Sequence, residues 1–242
     1  MLKSELYPYI FKRKSIRKFN SEPLGQETIS DILNFTGSVE TLFEDIKWEV
    51  RILKPEEITG FYMVKAPHYL ALYSEHKDGY LLNAGYILEQ IDLYLASKGI
   101  GVCWQGGPKL KKPELSSKEL VIVLAFGKPK EPLYREDINS FKRKPVNEIT
   151  DIKENLKLIE DARLAPSAVN RQPWFFKDGG NGEIKICLMT NFFMKKLNLI
   201  DMGIVICFLC LSAQSRNIKY CLDFKKVSSV DNMTHLATMS IL

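Results

Sequence analysis

Histidine, cysteine and long uninterrupted apolar runs are all scarce in this chain. The three histidines, His68, His76 and His235, have no spacing that would gather them on one metal ion, so no metal site is expected. Five cysteines (Cys103, Cys187, Cys207, Cys210 and Cys221) make an odd set scattered through apolar segments. That pattern excludes the disulfide framework of a small secreted domain and fits a reducing, cytoplasmic setting. Cys207 and Cys210 have CxxC spacing, but with no second pair or histidine nearby they read as core packing. The longest apolar stretch, Leu197 to Ala213, is interrupted by Asn198 and Asp201. It falls short of the ~20 residues of a membrane span, so a buried helix is expected. The opening MLKSELYPYIFKRK carries charges and Pro8 where an export signal needs an apolar core. A strong excess of one charge is also missing: 34 Lys and Arg stand against 29 Asp and Glu, a formal +5. An anionic partner must therefore be met by local clusters. A nucleic-acid-binding domain is disfavoured by that modest charge and by the lack of a known reading motif.

What is present is ample core material. The 242 residues are 45% hydrophobic, enough for one large domain or two small ones. A short helix is expected over Ser4 to Lys14, and a second over Gln26 to Phe35, where Ile29, Ile32 and Leu33 share a face. Trp48 to Leu53 and His68 to Tyr73 read as strands. Leu81, Ala84, Leu88, Ile91 and Leu95 step by three and four, predicting an amphipathic helix over 79–98 that Gly99 and Gly101 end. Leu120 to Phe126 is a β-branched central strand, and Lys128 to Pro145 an extended surface connection. A helix over 152–164, a strand at Trp174 to Lys177, a turn at Asp178 to Gly182 and a strand at Glu183 to Met189 follow. A long apolar helix then carries Leu199, Met202, Ile206, Leu209 and Ala213. Residues 231–242 hold a possible last strand whose pairing the sequence leaves open.

The second set of elements repeats the first. A shift of 118 residues lays Asn83-Ala84-Gly85 on Asp201-Met202-Gly203, and Gly99-Ile100 on Asn217-Ile218. A glycine one turn into each long apolar helix would let the two helices approach closely, so the copies are expected to pack against each other.

Four clusters could carry chemistry. Residues 12–18 (KRKSIRK) set Arg13, Ser15 and Arg17 on one face of an extended segment, able to converge on one anion. Such a run is also compatible with a solvated face. Trp104-Gln105-Gly106-Gly107 offers backbone N–H groups close to a ligand edge, or a plain turn. Phe141 to Pro145 holds a second basic knot. Ala165 to Trp174 (APSAVNRQPW) combines two prolines with Ser167, Asn170 and Gln172 beside a flat aromatic, a rigid loop suited either to a planar heteroaromatic ligand or simply to joining a helix to a strand.

Together these resemble the nitroreductase family of FMN flavoproteins. Arg13 and Ser15-Ile16-Arg17-Lys18-Phe19 look like its N-terminal Arg-x-Ser-x-Arg motif, and Ala165 to Trp174 like its APSxxNxQPW loop. Asn83-Ala84-Gly85 through Trp104-Gln105-Gly106-Gly107 is similar to its central helix and glycine loop, and Lys142 to Pro145 to its basic tail. The resemblance implies an α+β fold of two pseudo-symmetric halves, with antiparallel central sheets flanked by helices and the long central helices packed together. Where ordinary members carry the APS loop, this chain has the poor match Phe35 to Val39. The good copy lies in the second half, as in a homodimer fused into one chain.

That reading implies a first half over 1–148 and a degenerate second half over 149–242 that supplies the APS loop. One FMN per chain is expected. By the resemblance Arg13, Ser15, Lys142 and Lys144 would hold the phosphate and Arg17 would reach the pyrimidine edge. Trp104, Gln105, Gly106 and Gly107 would lie by the ring, and Pro166, Ser167 and Asn170 would close the site. The expected activity is ping-pong reduction of a small planar acceptor, a nitroaromatic or quinone, by NADH or NADPH, with no side chain nominated as catalytic acid or base. No nucleic acid or membrane partner is expected, and the chain is expected to be a monomer or weak homodimer. The competing expectation is a flavin store or sensor without efficient turnover.

Overall fold

Pro8 decides how the chain enters its fold. The computed structural model, which describes residues 2–112, 116–189, 194–224, 228–230 and 233–242, opens with a 3-10 helix over Ser4–Phe11 in place of the longer helix expected to Lys14. Proline inside this segment has no N–H to donate and its ring crowds the preceding turn, which disfavours a longer regular α-helix here. It still seats Leu6 and Ile10 in the core.

The first sheet is built from β1 (Trp48–Leu53), β3 (His68–Ser74), β4 (Gly101–Gln105) and β6 (Glu119–Gly127). Its order is β1-β3-β6-β4, all antiparallel. Two short strands, β2 (Ile58–Thr59) and β5 (Lys109–Leu110), pair separately as a ribbon. Strand β4 departs from expectation at its end: Trp104 and Gln105, grouped with Gly106 and Gly107 in a turn or glycine loop by the sequence, belong to a strand paired with β6. Helix α1 (Gln26–Thr36) lies where its apolar spacing puts it.

The second sheet is built from β7 (Trp174–Gly180), β8 (Glu183–Met189), β9 (Tyr220–Asp223) and β11 (Met233–Ile241), with β10 (Ser228–Val230) also on β11. Strand β11 is the last strand that the sequence left unpaired; it pairs with β8 and β9. β7 and β8 form a hairpin that closes at Asn181-Gly182, with φ of 52° and 78°. This is the Asn-Gly turn whose twist matches that of paired strands.

The two sheets share one plan. In each, two strands form an antiparallel pair, a long helix follows the second strand, and two further strands complete the order: β1-β3-β6-β4 in one and β7-β8-β11-β9 in the other. The helices are α2 (Tyr80–Ser97) and α4 (Lys195–Ser215), and they pack on each other through the glycines that the repeat singled out. A Cβ on Gly85 would lie 2.0 Å from the Ile200 carbonyl oxygen, and one on Gly203 would lie 2.0 Å from that of Leu82. Both helices end alike. Ile100 N–H donates to Leu95 O (2.9 Å) past left-handed Gly99, and Ile218 N–H to Ala213 O (3.0 Å) past left-handed Asn217. These are the wide closing bonds of a Schellman turn, 118 residues apart.

Helix α2 is not amphipathic. It is buried on every face, Asn83, Glu89, Gln90 and Asp92 included, because α4 and the first sheet enclose it. Its polar side chains are used internally: Gln90 clamps the Glu40 backbone by accepting from its N–H and donating to its carbonyl, each at 2.9 Å. Helix α4 spans 21 residues, so by length and composition it could cross a membrane, contrary to the shorter run read from the sequence. It is instead a core helix, with Cys207, Phe208, Leu209 and Cys210 fully enclosed. Helix α3 (Leu156–Ala162) is shorter than the expected 152–164.

Candidate active site

Residues 13–19 run as an extended segment along the free edge of β4. Ser15 bridges Val102 in parallel register and Ile16 N–H donates to Val102 O at 2.8 Å. Ile16 is wholly buried against Gly101, where a Cβ would meet its side chain at 2.9 Å. Alternation then leaves Ser15 and Arg17 facing a cleft. The return segment 128–135 lies antiparallel alongside, fastened by Lys130 N–H to Lys18 O and Arg135 N–H to Lys12 O, both 2.8 Å.

The 165–172 loop arrives from the other sheet in a strained conformation. Val169, Asn170 and Gln172 all have positive φ, at 46°, 57° and 51°. For a β-branched residue such as Val169 the left-handed region costs on the order of 1–3 kcal/mol. The loop is held from several sides. Gln172 N–H donates to Ser167 Oγ (2.9 Å), Lys144 N–H to Gln172 Oε1 (2.8 Å), and Asn170 Nδ2 to Lys142 O (2.6 Å). Arg143 ties it further, donating to Asn170 Oδ1 (2.6 Å) and Leu164 O (3.0 Å). From α4, Asp201 accepts from Ala168 N–H through both carboxylate oxygens, at 3.0 and 3.1 Å.

Two cavities meet along Ser15, Arg17, Pro166, Ser167 and Val169. One, of about 250 Å³, is mainly apolar, walled by Cys103, Trp104, Gly106 and Ile122 on one side and by Leu197, Ile200, Asp201 and Ile204 on the other. The second, of about 450 Å³, is lined by Arg13, Lys14, Arg17, Arg135, Lys142 and Arg143, with Glu131 the one carboxylate among them. Glu131 is itself held ionised, its carboxyl lowered by accepting from the Arg17 and Lys18 N–H groups.

Asp92 organises the wall between the cavities. It pairs with buried Arg13 at 3.1 Å and accepts from Trp104 Nε1 at 2.8 Å, so one α2 carboxylate orients a cation and an indole. One turn earlier Glu89 is completely enclosed, and neither of its oxygens meets a donor among the described residues. Burial, reinforced by Asp92, pushes its carboxyl well up, with Arg13 and Arg143 pulling the other way. Arg143 falls to about 9 through burial and then repulsion from Arg13, Arg135 and Arg163. Arg135 is lowered for the same two reasons. These guanidiniums crowd one another with few carboxylates between them, an arrangement chemically suited to an anion.

The expected residues separate into two groups. Arg13, Ser15, Arg17, Trp104, Gly106, Lys142, Pro166, Ser167 and Asn170 line one or both cavities. Gln105, Gly107 and Lys144 do not. Gln105 is turned away, accepting from Val64 N–H (2.9 Å) and donating to Trp104 O (2.9 Å). Gly107 lies against Gly60 at the end of the β2-β5 ribbon, where a Cβ on Gly60 would be 3.3 Å from its carbonyl oxygen. Lys144 reaches the Gln172 backbone, and Arg143 takes the place expected for it. Sequence reasoning also passed over Asp92, Glu89, Arg135 and Asp201. Charged residues inside an apolar helical stripe were the available signal for the first two.

A third cavity, of about 550 Å³, lies at the position related to the apolar one by the 118-residue shift. His76, Gly79, Leu82 and Phe224 line it where Met194, Leu197, Ile200 and Gly106 line the other. Phe224 packs there against Phe43, ring centroids 4.7 Å apart. Gly79 makes room for Phe43, since a Cβ at 79 would lie 2.6 Å from its ring. No arginine lines this cavity among the described residues.

Two antiparallel sheets around a crossed helix pair, with a basic cavity opening into an apolar one, define the nitroreductase fold. A crystal structure of a "putative nitroreductase" from Thermotoga maritima superposes with a TM-score of 0.66 at 23% identity, over 97% of this chain and 92% of that one. A nitroreductase family protein from Clostridium novyi covers 52% of this chain and 86% of its own at 17% identity, with a TM-score of 0.44. An FMN-dependent nitroreductase from Clostridium difficile covers 54% and 91% at 15% identity, with a TM-score of 0.42. None of the curated proteins matches the chain. The family model described as "Putative TM nitroreductase" matches residues 5–213, and the chain belongs to that family. Membership carries a general oxidoreductase role.

Proposed function

We propose that the chain is an FMN-dependent oxidoreductase that passes hydride equivalents from NADH or NADPH to a small planar acceptor such as a nitroaromatic or a quinone. The observation that carries this reading is the junction of a cation-rich cavity with an apolar one along Ser15, Arg17, Pro166, Ser167 and Val169. A phosphorylated ligand with a flat ring suits that junction, its phosphate against the guanidiniums and its ring between Trp104 and the α4 wall. The unsatisfied Nε atoms of Arg13 and Arg143 and the mutual repulsion of the arginines fit a dianionic phosphate.

In this reading Arg13, Lys142 and Arg143 hold the phosphate, with Ser15 adding a hydroxyl donor, and Arg17 reaches the pyrimidine edge. When bound, FMN supplies the two-electron chemistry. The chain's own residues bind, orient and enclose: Asp92 fixes Trp104, and Gly106 leaves the ring's approach free of a side chain. Pro166, Ser167 and Asn170 bring the second half onto the site, as the partner subunit would in a homodimer.

The fused-dimer organisation belongs to the same proposal, with halves over 1–148 and 149–242, one FMN per chain, and a cytoplasmic monomer or weak homodimer. Two features of the mirror cavity support a single site: Phe224 stands at the position that Gly106 holds in the first, and no arginine lines it among the described residues. The test is to release flavin from the purified protein by heat, identify and count it, and add NADPH or NADH without oxygen. About one FMN per chain that bleaches supports the reading. One FMN that stays oxidised turns it into storage or sensing, and no flavin after incubation with FMN removes it.

A further inference from the structure

Asp201 has a role open to it that capping alone does not use. It lies on α4, 3% exposed, and lines the apolar cavity beside Gly106 and Trp104. Its hydrogen bonds are to one backbone group, Ala168 N–H. The shift of 118 residues places Asn83 at the matching position of α2, where the side chain does the same work: Asn83 Oδ1 accepts from Leu42 N–H at 2.8 Å. An amide therefore suffices to cap such a segment. A carboxyl at 201 adds one capacity that an amide lacks, a transferable proton.

Among the described residues the charges around Asp201 are few. Arg17, on the basic segment, and Cys103, on β4, are the other ionisable side chains on this cavity's wall. From the 165–172 loop, Arg171 reaches Met194 at the start of α4. On α2, Tyr86 faces Cys207 and Cys210, and Glu89 faces Cys207, all later along α4 than Asp201. From α3, Asp161 meets Ser212 and Arg216 at the far end. Burial is the leading influence and pushes Asp201 up to about 8, against the lowering effect of the Ala168 N–H. At neutral pH it holds its proton and can still accept that N–H through its carbonyl oxygen.

We propose that Asp201 is the proton donor to the acceptor molecule in the apolar cavity, a proposal that rests on the oxidoreductase reading above. A quinone receiving a hydride, whose two electrons originate in the nicotinamide donor, becomes a hydroquinone anion. The Asp201 O–H bond breaks, its proton forms an O–H bond on the acceptor oxygen, and a neutral hydroquinone leaves. The Asp201 carboxylate then takes a proton from water. Ferricyanide accepts an electron and no proton, so it bypasses this step.

The test compares quinone with ferricyanide reduction by the flavin-loaded protein, wild type and Asp201→Asn. The expected result is a quinone-to-ferricyanide rate ratio at least about tenfold lower in the variant, general acids contributing ~100-fold or more where proton transfer limits. In the wild type that ratio should fall as pH rises through about 8, and in Asp201→Asn it should be flat. Asp201→Glu, which keeps a carboxyl, should recover part of the ratio. A separate readout needs neither donor nor acceptor: a carboxyl resonance of 13C-aspartate-labelled protein that titrates near 8 and is missing from Asp201→Asn. An unchanged ratio in Asp201→Asn, or an Asp201 resonance that titrates in the ordinary aspartate range, would overturn the proposal. The wild-type pH profile and resonance decide it even if the variants do not fold. Absence of flavin overturns the proposed function by its own count, while the resonance still reads Asp201.

Discussion

Gly85 and Gly203 sit opposite one another at the crossing of α2 and α4, each pressed against the backbone of the other helix. A Cβ on either would lie 2.0 Å from a carbonyl oxygen, Ile200 for one and Leu82 for the other. The obstacle is main chain on both sides, so no rotamer change relieves it. Gly85→Ala or Gly203→Ala should destabilise the protein by about 3 kcal/mol, the upper part of the usual range for overpacking. For a chain of this size that is a fall in Tm of roughly 6–12 °C. Thermal denaturation followed by far-UV circular dichroism measures it. Gly99→Ala is the comparison: its Cβ meets open space, so only the left-handed φ of 76° is penalised and the loss should stay near 1 kcal/mol. Equal losses at all three sites would remove the close-crossing argument.

The crossing was legible in the sequence because three-four apolar spacing and a glycine recur at a fixed shift in both long helices. Other features left weaker traces. The β4 strand is five residues that begin at Gly101 and stop before Gly106, and only its pairing with β6 makes it a strand. In the 142–144 knot three adjacent cations look alike in sequence. The backbone contact of Lys144 with Gln172 turns the middle one, Arg143, toward the cleft. The side-chain direction of Gln105 was not legible, because proximity to Gly106 in sequence says nothing about Val64, whose N–H bonds it from a distant loop. Asp201 was visible as a polar interruption of an apolar run, but its place on a cavity wall depends on the 165–172 loop folding over it.

Arg143 binds the 165–172 loop and lines the basic cavity at once. Arg143→Met removes a cation whose bond to phosphate would contribute about 1.5–3 kcal/mol, so FMN should bind roughly ten- to a hundredfold more weakly. Fluorescence titration of the flavin-free protein measures this, and riboflavin supplies the control. Lacking a phosphate, riboflavin should lose little affinity in the variant. An equal loss for both ligands would mean that Arg143 acts through the loop alone.

Glu89 gives a pH dependence with a definite sign. Its folded carboxyl is held well above the ordinary 4.5, whereas in the unfolded chain it ionises near that value. Its contribution is complete below about 4.5 and is lost progressively as pH rises toward the folded value, because unfolding releases a proton that the native state retains. Glu89→Gln has no proton to release. Wild type and variant should therefore have their smallest difference in urea midpoint at acidic pH, and the variant should gain relative to wild type as pH rises through neutrality. A difference that is constant with pH would show that Glu89 is ionised in the fold.

Phe43 and Phe224 line the mirror of the apolar cavity, yet the two cavities differ in more than those rings. The first has arginines from the basic segment and the 135–143 return; the second has His76, Lys77 and Asp78 and no arginine among its described lining. If rings alone kept a second flavin out, the double variant Phe43→Ala with Phe224→Gly would bind two FMN per chain. If the phosphate needs the guanidinium cluster, the count should remain at one while the enlarged cavity takes up a small uncharged aromatic such as indole. Heat-released flavin counted against protein, with indole binding followed by calorimetry, separates the two. Two FMN would locate the selectivity in Phe43 and Phe224, and one FMN together with bound indole would locate it in the arginines that line the first cleft.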